Sequence, residues 1–229
     1  MKIKSKSVFI VFFLLVFFIP GISEENKYPV KIIYGEVPLH SLEACRKVAE
    51  EWMVGMQDID VANVLPGAWI GDPLIFEDLL GNPVTYEFPI INSGKEVGHI
   101  LVEATGIESS VSIHGLREVP LEEIKPELKA TVDRRIPEVI EDKIPREKGC
   151  KKEDIVFLGK FLCTVDSGGP SGMFQIISTG ETLLVGLYSA RIVSLSNANL
   201  EQMQKETEEY FIKRYRRQLE KAKKKKYQD

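Results

Sequence analysis

The residues whose types could do chemistry are few: Ser167 in Asp166-Ser167-Gly168-Gly169-Pro170, the thiols Cys45, Cys150 and Cys163, the histidines His99 and His114, and the carboxylates Glu87 and Glu103. A serine followed by two glycines can place its hydroxyl beside backbone N–H groups that receive an oxyanion, as acyl transfer requires. Acyl transfer also needs a histidine base held by a carboxylate. His99 falls inside a strand-like run and His114 at the end of another. The competing reading of Ser167 is a hairpin turn, in which Ser-Gly-Gly-Pro-Ser-Gly supplies positive-φ positions. Cys45 is a potential nucleophile, yet it lies on the apolar stripe of a predicted helix, where a thiol behaves as a small hydrophobe. His99, His114, Glu87 and Glu103 share strand parity and hence one sheet face. Two histidines and a carboxylate can hold zinc, but this spacing matches no zinc signature. Phosphate loops, dinucleotide fingerprints and CxxC pairs are missing from the sequence, which therefore offers no cofactor or metal site. Neither histidine has the sequence context of a partner base, so the turn is the expected reading and no catalytic residue is assigned, with Ser167 as the candidate if there is one.

The elements that must position these residues follow from periodicity. Val84, Tyr86, Phe88 and Ile90 alternate with polar or small neighbours, and Ile100, Val102 and Ala104 repeat the pattern after the turn Asn92-Ser93-Gly94-Lys95. With the apolar run Leu74 to Leu80, they predict an antiparallel meander of three strands, and Val111 and Ile113 add a fourth. Tyr86, Phe88, Ile100 and Val102 are expected to pack on a helix over Ser41–Met56, whose Leu42, Cys45, Ala49, Trp52, Met53 and Met56 form one stripe with Ser41 as the cap. A second helix is expected from about Glu127 to Asp142, kinked near Pro137 and followed by a loop. Strand character returns at Ile155 to Val165, Met173 to Ser178 and Thr182 to Leu195, and Ser196 to Lys226 reads as a long terminal helix. The order helix, strands, helix, strands, helix gives an α+β class with antiparallel meanders and packed helices. Whether the two strand sets share a sheet is open at this level.

Residues 1–23 carry Lys2, Lys4 and Lys6, an apolar core from Val8 to Ile19 and a Pro20-Gly21 break, the pattern of a secretory signal peptide with cleavage ahead of Glu24. The expected location is secreted or at the cell surface. Three cysteines then make an odd set: Cys150 and Cys163 are close enough in sequence to bridge, which leaves Cys45 over. Residues 24–212 hold 18 basic against 32 acidic residues, a net of −14, while residues 213–229 hold 9 against 2, a net of +7. The acidic body argues against a nucleic-acid partner. The basic tail could contact an anionic surface or fold back on the body.

Two resemblances bear on function. Asp166-Ser167-Gly168-Gly169-Pro170 is similar to the nucleophile loop of trypsin-like serine proteases, with Val165 where that family has glycine. The helix Cys45-Arg-Lys-Val-Ala-Glu-Glu-Trp-Met53, with Gly81-Asn-Pro-Val-Thr-Tyr-Glu-Phe-Pro-Ile90 and Gly98-His-Ile-Leu-Val-Glu-Ala104, resembles the pro-region that precedes secreted papain-fold cysteine peptidases of the streptopain kind. Residues 155–195 resemble the strand-rich segment that often follows it. Those relatives continue into a peptidase domain, whereas this sequence passes into a lysine-rich helix. The resemblance divides the chain into a signal (1–23), a pro-domain-like helix and meander (24–117), a helical connector with the second strand set (118–195) and a C-terminal helix with a basic tail (196–229). It implies an exported, non-catalytic module that binds a protein partner, a papain-fold cysteine peptidase or another exported protein. A secreted hydrolase using Ser167 or a cysteine, and an envelope-associated structural protein, are the alternatives.

Overall fold

Alternating apolar side chains fix which way each strand faces, and in the computed structural model they build one large sheet. The structure describes residues 30–56, 60, 62–106, 110–114, 116, 119–125, 132–164, 169–189 and 191–226. The signal-like segment and Ser167 lie outside these. A small hairpin, β1 (Lys31–Ile33) and β2 (Val37–Leu39), leads into α1 (Leu42–Gly55). Strands β3 (Trp69–Ile70), β4 (Leu74–Glu77), β5 (Pro83–Asn92), β6 (Lys95–Glu103) and β7 (Ser110–His114) follow. After a helical segment come β8 (Ile155–Thr164), β9 (Gly169–Ile176), β10 (Glu181–Gly186), β11 (Ile192–Leu195) and the helix α4 (Asn197–Lys226). The sheet order is β11-β10-β9-β8-β4-β5-β6-β7, with β3 also paired to β5. The class is α+β with a mixed sheet.

The meander forms as its alternation predicts. Phe88 opposes Ile100 and Tyr86 opposes Val102 across the β5–β6 ladder, and all four are buried in one cluster with Cys45 and Ala49 of α1, against which Trp52 packs. Ser41 caps α1 by accepting a hydrogen bond from the Ala44 N–H at 3.3 Å. Arg46 pins the helix to the sheet: its guanidinium donates to the Ile70 and Gly71 carbonyls, each at 3.0 Å, and lies over the Phe88 ring.

The two strand sets share that one sheet through a parallel seam, Phe76 opposite Phe161 and Glu77 opposite Leu162. The expected single run Thr182–Leu195 is instead two antiparallel strands, β10 and β11, with Thr182 opposite Leu195. Chain reversal across Tyr188-Ser189 lets Leu183 and Val185 reach the core while β11 closes the sheet edge.

The second helix, whose expected start at Glu127 lies outside the described residues, runs past Asp142 to Lys148. It runs as a 3-10 turn (Asp133–Arg135), α2 (Ile136–Glu138), a π turn (Val139–Lys143) and α3 (Ile144–Lys148). Pro137 and Pro145 each occupy the first turn of their α segment, where the missing N–H costs nothing. Between them the Ile144 N–H reaches back to the Val139 carbonyl, so the ladder widens by one residue ahead of Pro145. Gly149 ends the segment at φ 66°, a left-handed cap that suits glycine.

The core changes sides between β4 and β5, because Phe76 of β4 packs with Phe161 on the side opposite to Tyr86 and Phe88. On β5 and β6 the apolar face meets α1; on β8 to β10, Phe161, Phe174, Ile176, Leu183 and Val185 face the opposite side and pack under Ile136, Val139 and Ile144 of the helical segment. Helix α4 serves both halves from the α1 side. Met203 packs with Leu162 and Leu184, while Phe211 stacks on Tyr34 and joins the meander core. Ser196 and Asn199 start this helix with a reciprocal capping box: Asn199 Oδ1 accepts from the Ser196 N–H, and Ser196 Oγ accepts from the Asn199 N–H.

Candidate functional site

The polar face of the meander, expected to carry His99, His114, Glu87 and Glu103, is set by the ladder as predicted. His99 pairs with His114 across β6–β7, and Glu103 with Thr85 across β5–β6. Glu87 and His99 are covered rather than solvated. Glu87 is 2% exposed and His99 7%, with His99 Nε2 3.8 Å from Glu87 Oε1. Glu96, also buried, accepts a charge-assisted hydrogen bond at 2.7 Å from Arg134 of the helical segment. Tyr188 lies under the Arg135 guanidinium, and burial, then the nearby Glu87, pushes its phenol up. Among the described residues no three His, Cys, Asp or Glu side chains converge as metal ligands. Sequence reasoning did not find Arg134: its partner is 38 residues away on a strand, and only the fold joins them.

Other polar groups act as staples. Asp78, 1% exposed, accepts hydrogen bonds from the Leu80 and Asn82 backbone N–H groups, Asn82 Nδ2 and the Tyr34 hydroxyl. Burial, then Asp78, pushes the Tyr34 phenol far up. Lys143, held down in pKa by burial, donates to the Gly186 and Ser189 carbonyls and ties the helical segment to the β10–β11 reversal. Arg214 of α4 makes a two-pronged ion pair with Glu103.

The cysteines do not assemble a site. Cys45 is buried on the face of α1 that joins the meander core. None of the three is in a disulfide. Cys150 and Cys163, close in sequence, are free thiols that both pack against the core cluster under the helical segment. Burial, then Glu103, pushes the Cys163 thiol up to about 11, against the Arg214 charge that lowers it. Ser167 falls outside the described residues; its flanks pair as a β8–β9 hairpin, Thr164 opposite Gly169.

What the fold leaves open is a groove on the α1–α4 side of the sheet. Leu162, Met173, Thr182 and Leu195 from the strands meet Ser196, Asn197 and Leu200 at the start of α4 around a cavity of about 300 Å³, with Lys160 and Glu77 at its rim. Beyond the cavity the same sheet face carries Ile75, Val156, Leu158 and Ile177, all exposed. Val156 opposes Gln175, two residues before Ile177, so these side chains are diagonal neighbours at about 7–8 Å. The β4–β8 pairing begins only at Phe161, so among the described residues Ile155–Phe157 have β9 as a ladder partner on one side and no strand on the other. The sequence signal for this strip was present in the apolar Val156 and Leu158, which the sequence places in a strand without assigning them a face.

Comparison with protein-family models, with curated proteins and with solved structures finds no match for this chain.

Proposed function

We propose that this chain is an exported, non-catalytic module that binds a protein partner by receiving an extended segment along the β8 edge. The observation that carries the reading is the exposed strip Ile75, Val156, Leu158 and Ile177 beside the edge of β8 that has no strand partner among the described residues, on the same sheet face as the cavity at the start of α4. A contiguous exposed apolar strip marks interaction sites. A free strand edge offers main-chain hydrogen bonds to an added strand, and alternate side chains of that strand would fill the strip and the cavity. The resemblance to peptidase pro-regions supports a papain-fold cysteine peptidase as the partner. The polar groups described above are engaged in holding layers together, which fits a module whose work is done by a surface.

The test is a titration of a secreted papain-fold cysteine peptidase with the protein, read as inhibition and as complex formation. Val156→Lys and Leu158→Asp are expected to weaken binding at least tenfold while leaving the circular dichroism spectrum unchanged. Binding unaffected by both changes places the contact elsewhere. Fluorophosphonate labelling that disappears in Ser167→Ala replaces the module reading with a hydrolase.

A further inference from the structure

Among the described residues, the last turns of α4 extend past the contacts that hold the helix. Its final anchors are the Arg214–Glu103 pair, the Arg216–Glu36 pair and Gln218, which lies against Gly106. Leu219 is half-buried, and Glu220 to Lys224 are exposed. Eight helical residues, 219–226, therefore form a prong of about 12 Å at 1.5 Å per residue. Five of its residues are lysines, Lys221, Lys223, Lys224, Lys225 and Lys226, against the single acid Glu220. At 100° per residue those five positions distribute around the whole helix circumference. Exposed Lys213, Arg216 and Arg217 extend the positive charge towards the body.

We propose that this prong is an electrostatic tether to an anionic lipid surface. Charge on every side of a helix tip suits a flat, diffuse anionic layer that imposes no register. A protein groove selects one face, and a nucleic-acid duplex rewards a long row of cations spaced along its backbone. The prong also resolves the charge conflict within the chain. Residues 24–212 carry a net −14 that an anionic surface repels. A standoff of about 12 Å exceeds the screening length of about 8 Å at physiological salt, so the tip feels the surface and the body largely does not. Lysines placed there also favour the negative end of the helix dipole, which keeps the tip helical.

The experiment uses the chain from Glu24 onward, which holds every described element and lacks the apolar signal-like segment. Its partitioning is measured by cosedimentation with vesicles of phosphatidylcholine alone and of phosphatidylcholine mixed with phosphatidylglycerol. Each basic residue near an anionic surface contributes roughly fivefold to partitioning. The triple change Lys221→Gln, Lys223→Gln and Lys224→Gln is therefore expected to lower partitioning to the anionic vesicles about a hundredfold. High salt should do the same, with the thermal transition unmoved. Equal binding to neutral vesicles, or full binding by the triple variant, overturns the proposal. So does tighter binding to a DNA duplex than to vesicles at the same salt, or self-association that the triple variant abolishes, because the prong then serves nucleic acid or a second copy.

Discussion

Strands β5 and β6 turn Phe88, Ile90, Ile100 and Val102 towards α1, whereas β9 and β10 turn Phe174, Ile176, Leu183 and Val185 towards the helical segment on the other side of the same sheet. Each half therefore leaves the opposite face to be dealt with, and they do so differently. The meander half carries Glu87, Glu96 and His99 there and covers them with the layer that bears Arg134. The other half carries Leu162, Leu184, Met173 and Leu195 there; α4 covers these in part and leaves Val156, Leu158 and Ile177 exposed. The open strip is thus a geometric consequence of a core that changes sides between β4 and β5. A sheet covered on one side throughout would have had no uncovered apolar strip to offer.

The largest expected effects test whether the halves fold as one unit. Phe88→Ala and Phe174→Ala each remove a fully buried ring, one per half, at a cost of about 3–5 kcal/mol. If the seam and α4 couple the halves, urea denaturation followed by circular dichroism shows one transition for the parent and for both variants, shifted alike. Two transitions, with each variant shifting only one of them, would show two independent cores that share a sheet only formally.

The next effect concerns the polar face of the meander. Arg134→Ala leaves Glu96 buried without its guanidinium, at an expected cost of about 2–4 kcal/mol, since breaking a buried pair strands a charge and Arg134 is itself partly exposed. Denaturation of Arg134→Ala beside Glu96→Gln/Arg134→Met separates the cost of the stranded charge from the worth of the pair. A double variant nearly as stable as the parent sharpens the contrast with the apolar face, because it shows the polar cover to be replaceable.

Cys163 packs against both core clusters and so reports on the place where they meet. Its folded pKa of about 11 lies above the ordinary thiol value of 9.0, with burial as the first cause. Between these values the unfolded chain loses a proton that the folded chain keeps. The contribution is therefore fully present below pH 9 and is lost as the pH rises through 11, amounting to about 3 kcal/mol. Stability measured across that window should fall more steeply for the parent than for Cys163→Ala. Parallel curves would mean that the thiol is solvated and the clusters do not close over it.

Local periodicity made much of this legible and topology hid the rest. Helix α1 with its Ser41 cap, the β5–β6 ladder with its face assignment, and α4 all follow from spacings of two, three and four residues. The β4–β8 seam joins residues 85 apart through two register pairs and leaves no trace in local pattern. The second helix was ended too early, at Asp142, because a loop was expected there, whereas Pro145 starts a new turn after a π widening and the chain stays helical to Lys148. The reversal between β10 and β11 was missed because Leu183 to Leu195 is rich in strand formers on both sides of the turn. For the groove, the residues were visible and their exposure was not, since exposure depends on where α4 begins and where β4 stops.

The smallest expected change in stability is also the one that separates a binding surface from a core. Val156 is 42% exposed and Leu158 39%, so Val156→Thr and Leu158→Ser should each move the unfolding free energy by about 0.5 kcal/mol or less. The same truncation one residue along, Phe157→Ala, removes a ring that packs on Phe161 and Phe174 and should cost several times more, about 2–4 kcal/mol. The alternation along a single strand thus predicts small, large, small at positions 156, 157 and 158, read from urea midpoints of three variants. A cost above about 1.5 kcal/mol at Val156 or Leu158 would mean that the strip is covered in solution. The contrast between the two halves would then collapse, because both faces of β8 would be buried and no edge would remain for a partner strand.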